Sequence, residues 1–245
     1  MNGYPSNPVF GKLARHLERK ILSNANAVFS VTQKVAESVK KIYSISSIPN
    51  MPGMDFGSCL LYESRKDILL CVSVWDKDRD PKVYLPIISI LGNFKLTVAG
   101  RWRDEGLRRQ FIAEIDKLKI GDLVDLIEGF TENQLVSLYR ESKFSLRYGI
   151  DELGPGMSNL ESLSQCTPVI VNGELGFADF VLSENVGYVS KIWNPDIICE
   201  FIMEYNNPTK YSELQSYIKK ALSSYSWKSH TKILLEPVIG KKETF

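Results

Sequence analysis

The chain has 245 residues, 44% of them hydrophobic and 24% charged, enough to bury one sizeable core and a small accessory element, as in a soluble globular protein. Its 30 basic and 29 acidic side chains leave a formal charge of +1, so no whole-chain field draws nucleic acid or an anionic membrane, and a charged ligand must be held by a local site. No apolar run reaches the roughly 18 residues of a membrane-spanning helix, and the opening MNGYPSNPVF lacks the basic-then-apolar order of a secretory signal.

In chain order, the first predicted elements are a basic helix from about Pro8 to Ser23, a strand from Ala27 to Val31 and a helix from Gln33 to Tyr43. One strand and two helices cannot close a core of their own. The first helix aligns Val9, Leu13, Leu17 and Ile21 in one stripe, with Lys12, Arg15, Arg19 and Lys20 elsewhere. That pattern suits either a helix packed on the strand that follows it or a helix lying on an anionic membrane surface. The Gly/Pro/Asn/Ser-rich stretch from Ser44 to Ser58 reads as a linker. Residues 1–58 are therefore expected to be a partial domain with its linker, and residues 59–245 the main domain.

From Asp67 onward, short β-branched apolar runs alternate with helical periodicity. The runs are Ile68 to Val74, Phe94 to Ala99, Leu123 to Ile127, Phe144 to Tyr148 and Pro168 to Val171; between them lie Pro81 to Leu91, Asp104 to Leu118, Glu132 to Ser142 and Met157 to Ser164. Near-continuous apolarity in strands separated by helices is what a parallel sheet covered on both faces requires, so the fold class is α/β with a doubly wound sheet. Helical segments from Pro195 to about Leu235, interrupted near Pro208, close the chain. The four cysteines, Cys59, Cys71, Cys166 and Cys199, form no C-x-x-C pair and no zinc pattern. Cys71 and Cys166 read as small buried hydrophobes, and the pattern fits a reducing cytoplasm.

The chemistry concentrates in DELGPGMSNLESLSQCTPVIV, Asp151 to Val171. Carboxylates end a predicted strand, Gly154 and Gly156 follow, a helix begins near Met157, and Glu161 lies about one turn into it. Glycine lets backbone amides approach a ligand, and unsatisfied N–H groups at a helix start attract an anion such as a diphosphate. A carboxylate beside that mouth can accept hydrogen bonds from vicinal hydroxyls. A phosphate cradle with a hydroxyl-reading acid describes a sugar-nucleotide site. His16 and His230 have no partner acid at motif spacing, and no G-x-G-x-x-G follows the first strand of the main domain, which argues against a dinucleotide oxidoreductase.

This segment resembles the Glu-x7-Glu signature of retaining GT-B glycosyltransferases of the family-4 type, the glycosyl transferases group 1. GMSNLESLSQCTPVI matches its second half, and VSVWDKDRDPKVYLPII, GNFKLTVAGRWRDE, LIEGFTENQLVSLYRESKF, NGELGFADFVLSENVGYV and YSWKSHTKILLE are similar to the family's other segments in order. LERKILSNANAVFSVTQKVAESV resembles the end of the family's N-terminal domain. The resemblance implies a Rossmann-like donor domain preceded by a remnant of the first GT-B domain, and transfer of a hexosyl group from a nucleoside-diphosphate sugar to an acceptor.

Residue by residue, the resemblance implies that Glu161 binds the nucleotide ribose and that Glu152 contacts the donor sugar as the catalytic carboxylate. Eight residues rather than seven separate the two, with Pro155 the extra one, and Asp151 is the alternative. The amides of Gly154, Gly156, Met157 and Ser158 match the diphosphate cradle, with Asn159 and Leu160 completing the turn. Backbone near Gly129 and Phe130 is expected to meet the base. Of the family's two diphosphate-neutralising cations, Arg79 stands at the lysine position and Val74 at the arginine position, leaving Lys77, Arg101 or Arg147 as substitutes. No cofactor or metal is expected, because side-chain cations and the helix dipole stabilise the leaving diphosphate. The expected partners are the nucleotide sugar, an acceptor and a second chain supplying the acceptor domain, with no nucleic acid; the expected location is cytoplasmic, peripheral to the membrane if the first helix lies on it. The alternative is a non-catalytic nucleotide-sugar-binding or scaffolding subunit.

Overall fold

The structure is a computed structural model that describes residues 8–239. It opens with α1 (Pro8–Ser23), β1 (Phe29–Ser30), α2 (Gln33–Tyr43) and β2 (Ile48–Pro49). Thr32 caps α2 by accepting from the Val35 amide at 3.2 Å, and Ser44 ends it in the left-handed region. The stretch read as a linker thus contains a strand. β2 pairs in parallel with β1, with the Ile48 amide donating to Val28 O and the Asn50 amide to Ser30 O, both at 2.8 Å. Two paired residues, one of them proline, are too short to show a period.

The six-stranded sheet follows. Its strands are β3 (Lys66–Val72), β4 (Lys95–Ala99), β5 (Val124–Ile127), β6 (Ser142–Arg147), β7 (Val169–Asn172) and β8 (Gly187–Ser190). The helices between and after them are α3 (Leu85–Leu91), α4 (Glu105–Leu118), α5 (Glu132–Glu141), α6 (Met157–Ser164), α7 (Ala178–Glu184), α8 (Pro195–Tyr205) and α9 (Pro208–Ser224). All pairings are parallel, and the spatial order is β5-β4-β3-β6-β7-β8. The order reverses between β3 and β6, which makes that junction the topological switch point of a doubly wound sheet.

Alternation within each strand explains the unbroken apolar runs. Leu69 and Cys71 of β3, Leu96 and Val98 of β4, and Phe144 and Leu146 of β6 join one core with residues of α3, α4, α8 and α9. Leu70 and Ala99 join another with Tyr139 of α5, packed by Ile68, Val72 and Leu138. Both faces are covered, so β3 reads as a near-continuous apolar run, while β6 alternates Lys143, Ser145 and Arg147 with Phe144 and Leu146 and buries them all. Local signals place the helices: Asp104 caps α4, Thr131 and Gln134 form a capping box on α5, and Asn194 with Pro195 starts α8. The sixth strand and α7 are not among the elements predicted from sequence: β8 opens on Gly187 and ends on Ser190, leaving only Tyr188 and Val189 as strand formers, and α7 has only seven residues.

The last helix, α10 (Trp227–Ile239), groups with the N-terminal elements. The chain forms two compact units, one of residues up to Gly53 together with those from Tyr225, the other Met54–Ser224. His230 explains the grouping: its Nδ1 lies 3.1 Å from Asn50 Oδ1 and 2.9 Å from Met51 O, and its carbonyl accepts from Asn50 Nδ2. This differs from a boundary at residue 58 with the closing helix in the main domain. In the same unit, the α1 stripe does not pack as the first of its two readings required. Leu13 is 52%, Leu17 50% and Ile21 71% exposed; Val9's side chain lies outside the described residues.

Cys166 is not a lone buried thiol. It is disulfide-bonded to Cys59, 107 residues away, while Cys71 and Cys199 are free and buried. Disulfides persist mainly in oxidising surroundings, so the cysteines no longer argue for a reducing compartment. Nearby, Arg65 is buried and spends its whole guanidinium on fixed acceptors. Nε donates to Leu60 O at 3.2 Å, one terminal nitrogen to Ser142 O at 2.8 Å and Thr167 Oγ1 at 2.5 Å, and the other to Gln165 O at 2.8 Å and Cys166 O at 3.2 Å. Burial lowers its pKa from the usual guanidinium value. Removing it strands several buried carbonyls, each costing about 1–3 kcal/mol. Arg65→Met should therefore lower unfolding stability by about 3 kcal/mol in a urea titration, and a loss below about 1 kcal/mol would mean the carbonyls find other donors.

Candidate functional site

The carboxyl ends of the strands gather the residues that carry polar chemistry. The segments leaving β3, β5 and β6 bring Arg79, Phe130 and the run from Asp151 to Glu161 to this edge. Gly100, at φ +129, follows β4 so closely against the backbone of Ser73 that a side chain there would collide with the Ser73 carbonyl. That packing fixes where the chain leaves β3.

Glu152 occupies the switch point. Both carboxylate oxygens accept from a single Arg147 nitrogen, at 2.6 and 2.7 Å, and the Arg79 guanidinium approaches Oε1 at 3.4 Å. Arg147 ends β6 and is 6% exposed. Its other terminal nitrogen donates to Ser73 Oγ at 2.5 Å and Val72 O at 3.3 Å, so the guanidinium bridges the ends of β3 and β6. Its Nε is buried without a hydrogen-bond partner. Arg79 is held more loosely, 3.5 Å from Asp76 Oδ2 and 3.4 Å from Val74 O, and Asp76 is shared with Arg103 at 3.1 Å.

The loop after β6 is shaped around that carboxylate. Asn172, the last residue of β7, clamps Gly149 through both backbone groups: the Gly149 amide donates to Oδ1 at 3.1 Å, and Nδ2 donates to the Gly149 carbonyl at 3.0 Å. A Cβ on Gly149 would lie 2.5 Å from Glu152 Oε2. The Gly176 amide donates to the Glu152 carbonyl at 2.9 Å. Asp151, by contrast, is exposed at φ 55, so of the two acids it is Glu152 that faces the arginines.

Gly156 stands at the N-cap of α6 with φ 60 and ψ 95, and no side chain caps the helix start. The amides of Met157 and Ser158 lead the helix, with Met157 half exposed. Asn159 and Leu160 are each 1% exposed and point into the fold, Asn159 tying the turn through Gly156 O at 2.8 Å and Pro155 O at 3.2 Å. Gly154 has open space where a side chain would stand. Glu161 accepts from the Tyr139 hydroxyl at 2.9 Å. Burial first, and then the Glu161 charge, push the Tyr139 phenol well above its ordinary pKa, so it stays a donor. Phe130 packs on the cluster containing Tyr139, and it lines a recess of about 500 Å³ with Gly129, Asn133 and Leu138.

Glu152, Arg79 and the α6 start therefore lie at one strand edge, with Phe130 and Glu161 linked through Tyr139. Of the three substitutes considered for a second cation, Lys77 and Arg101 are exposed and Arg147 touches Glu152. Sequence reasoning missed Asn172, Tyr139 and Ser73. The signal for Asn172 was a single amide ending the run PVIVN; nothing in the spacing marks the other two. Among the described residues no group of three or more His, Cys, Asp or Glu could hold a metal ion, and no helix is long and apolar enough to cross a membrane.

The chain is similar in structure to sucrose-phosphate synthase from Thermosynechococcus elongatus, at 14% identity over 98% of this chain and 65% of that chain, with a TM-score of 0.77. HepE of Anabaena in complex with UDP-glucose matches at 11% identity over 95% of this chain and 69% of that one, TM-score 0.78. TarM of S. aureus, in a complex that includes UDP, matches at 14% identity over 96% and 49%, TM-score 0.75. The chain thus spans less than two thirds of the first and about half of the third, and these likenesses carry the GT-B fold alone. No curated protein sequence matches. The family model for glycosyl transferases group 1 matches residues 61–221, well over half of the chain, with the switch-point site inside it, and the protein belongs to that family.

Proposed function

We propose that the chain is the donor-binding half of a retaining glycosyltransferase, holding a nucleoside-diphosphate sugar for hexosyl transfer to an acceptor in glycan or glycolipid synthesis. The observation that carries the reading is the Arg79–Glu152 pair in the segments leaving β3 and β6, the second of which leads into the uncapped start of α6. In this reading the diphosphate sits on the amides of Gly156, Met157 and Ser158 and draws Arg79, so departing charge is met by a cation and a helix N-terminus with no metal required. Glu161, oriented by Tyr139, accepts from the ribose hydroxyls, and the base enters the recess beside Phe130. Glu152 contacts the donor sugar. The bound UDP-glucose and UDP of HepE and TarM support the ligand class.

The acceptor must be presented to the donor's anomeric carbon across a cleft. Residues 8–53 contribute two strands of two residues each and two helices, too little for an acceptor pocket, so in this reading a partner polypeptide supplies it. The exposed Leu13, Leu17 and Ile21 offer that polypeptide an apolar face. A non-catalytic binding module is the second reading, favoured by Val74 beside Arg79 where the family carries a cation.

Glu161→Ala should weaken binding of the matching free nucleoside diphosphate by about 1–3 kcal/mol through lost ribose hydrogen bonds, measured by calorimetry across UDP, GDP and ADP; unchanged affinity would remove Glu161 from the site. The chain alone should bind a nucleotide sugar and show little or no transfer, with transfer rising when an acceptor-domain polypeptide is added. Efficient transfer by the isolated monomer would place the acceptor site within these residues, and no transfer under either condition, with binding intact, would favour the non-catalytic module.

A further inference from the structure

Two buried arginines in the sheet unit behave differently. Arg65 bonds through all three guanidinium nitrogens, almost entirely to backbone carbonyls. That is how an arginine holds a fold together. Arg147 leaves Nε without a partner and commits one whole terminal nitrogen to the two oxygens of Glu152. A buried donor left unsatisfied is unfavourable, so this placement is not the best available for stability alone. Its remaining nitrogen is fixed by Ser73 Oγ and Val72 O at the end of β3. The Glu152 carboxylate thereby takes its position from both central strands instead of from its own loop.

The surroundings share that task. Gly149 leaves out the Cβ that would stand 2.5 Å from Glu152 Oε2, and Asn172 clamps the Gly149 backbone from β7. Arg79 touches the same carboxylate only at 3.4 Å and is 27% exposed, so it can leave without releasing Glu152.

We infer that Arg147 is the positioning residue of the donor site: it fixes the Glu152 carboxylate at the switch point, so that Glu152 reads the sugar while Arg79 is free to turn to the diphosphate. This rests on the donor-half reading. It makes Arg147 a determinant of sugar recognition, and it separates Arg147 from the groups that hold the nucleotide.

The test compares UDP-, GDP- and ADP-glucose with UDP, GDP and ADP by calorimetry on the full chain, using Arg147→Met, Arg147→Lys, Gly149→Ala and Glu152→Gln. For the nucleotide that binds, Arg147→Met should cut the affinity for the nucleotide sugar relative to the free diphosphate by about tenfold, leave the free diphosphate nearly unchanged, and add nothing in the Glu152→Gln background. Gly149→Ala should show the same split, and Arg147→Lys should restore part of the preference. Unchanged sugar preference in folded Arg147→Met and Gly149→Ala would overturn the inference, as would equal losses for sugar nucleotide and free diphosphate. A ligand-free double-mutant cycle in urea between Arg147→Met and Glu152→Gln reads the pair separately. Absence of nucleotide binding with that coupling present would sink the donor-half reading, and absence of coupling would sink the positioning role.

Discussion

The pairing of a buried arginine with one carboxylate at the switch point is the constraint on which the site depends. A doubly wound sheet creates a crevice where its strand order reverses, because the crossovers on either side leave in opposite directions. In this chain that crevice lies between the ends of β3 and β6, and Arg147 bridges the two strand ends from the β6 side. Breaking such a pair by deleting one partner is costly, since the remaining charge stays buried. Geometry elsewhere accommodates the pair: Gly149 yields space to the carboxylate, Gly100 lets β3 end where Ser73 can meet Arg147, and Asn172 ties the loop to β7.

The same economy governs the helix that follows. α6 starts on Gly156, whose positive φ suits glycine, and it takes no side-chain cap. A glycine N-cap forgoes only a few tenths of a kcal/mol relative to Ser or Asp, so the open start costs the fold little. Leaving those donors open is consistent with an anionic ligand completing them. Side chains cap α4, α5 and α8, whereas α3 and α7 also start without one, so the open start of α6 gains its meaning only from the Arg79 and Glu152 pair in the segments that lead to it.

Much of this is legible in the amino-acid sequence. Strand runs such as ILLCVSV and FSLRY announce themselves because both faces of β3 and β6 are buried, and the helix from Met157 to Ser164 is bounded by glycine on one side and proline-valine on the other. Glu152, Glu161 and Arg79 are candidates because of the resemblance to the family's segments, and the structure brings Arg79 against Glu152. What escaped was set by tertiary neighbours. β8 is short and flanked by glycine and serine, β2 is two residues long, and the Cys59–Cys166 pairing spans 107 residues. Arg147 reads in sequence as one of three substitutes for the missing diphosphate cation, because sequence cannot say which strand end or which carboxylate it will face. Asn172 and Tyr139 act across contacts of 23 and 22 residues, beyond any local pattern.

The two arginines at Glu152 then divide the work by strength. Arg79 makes contacts of 3.4–3.5 Å to carboxylates while partly solvated, and ion pairs of that kind are worth about 0–1 kcal/mol. A charge-assisted contact to a phosphate oxygen is worth roughly 1.5–3 kcal/mol. In the proposed donor site, an arriving diphosphate would therefore win Arg79 by a margin that its present partners do not match. Arg147, at 2.6–2.7 Å and nearly dry, has no comparable incentive to move. On that proposal Glu152 would keep Arg147 as its counter-ion when Arg79 leaves, so recruiting one cation to the phosphate would not leave the carboxylate unpaired. A site with only one arginine would have to choose between the two.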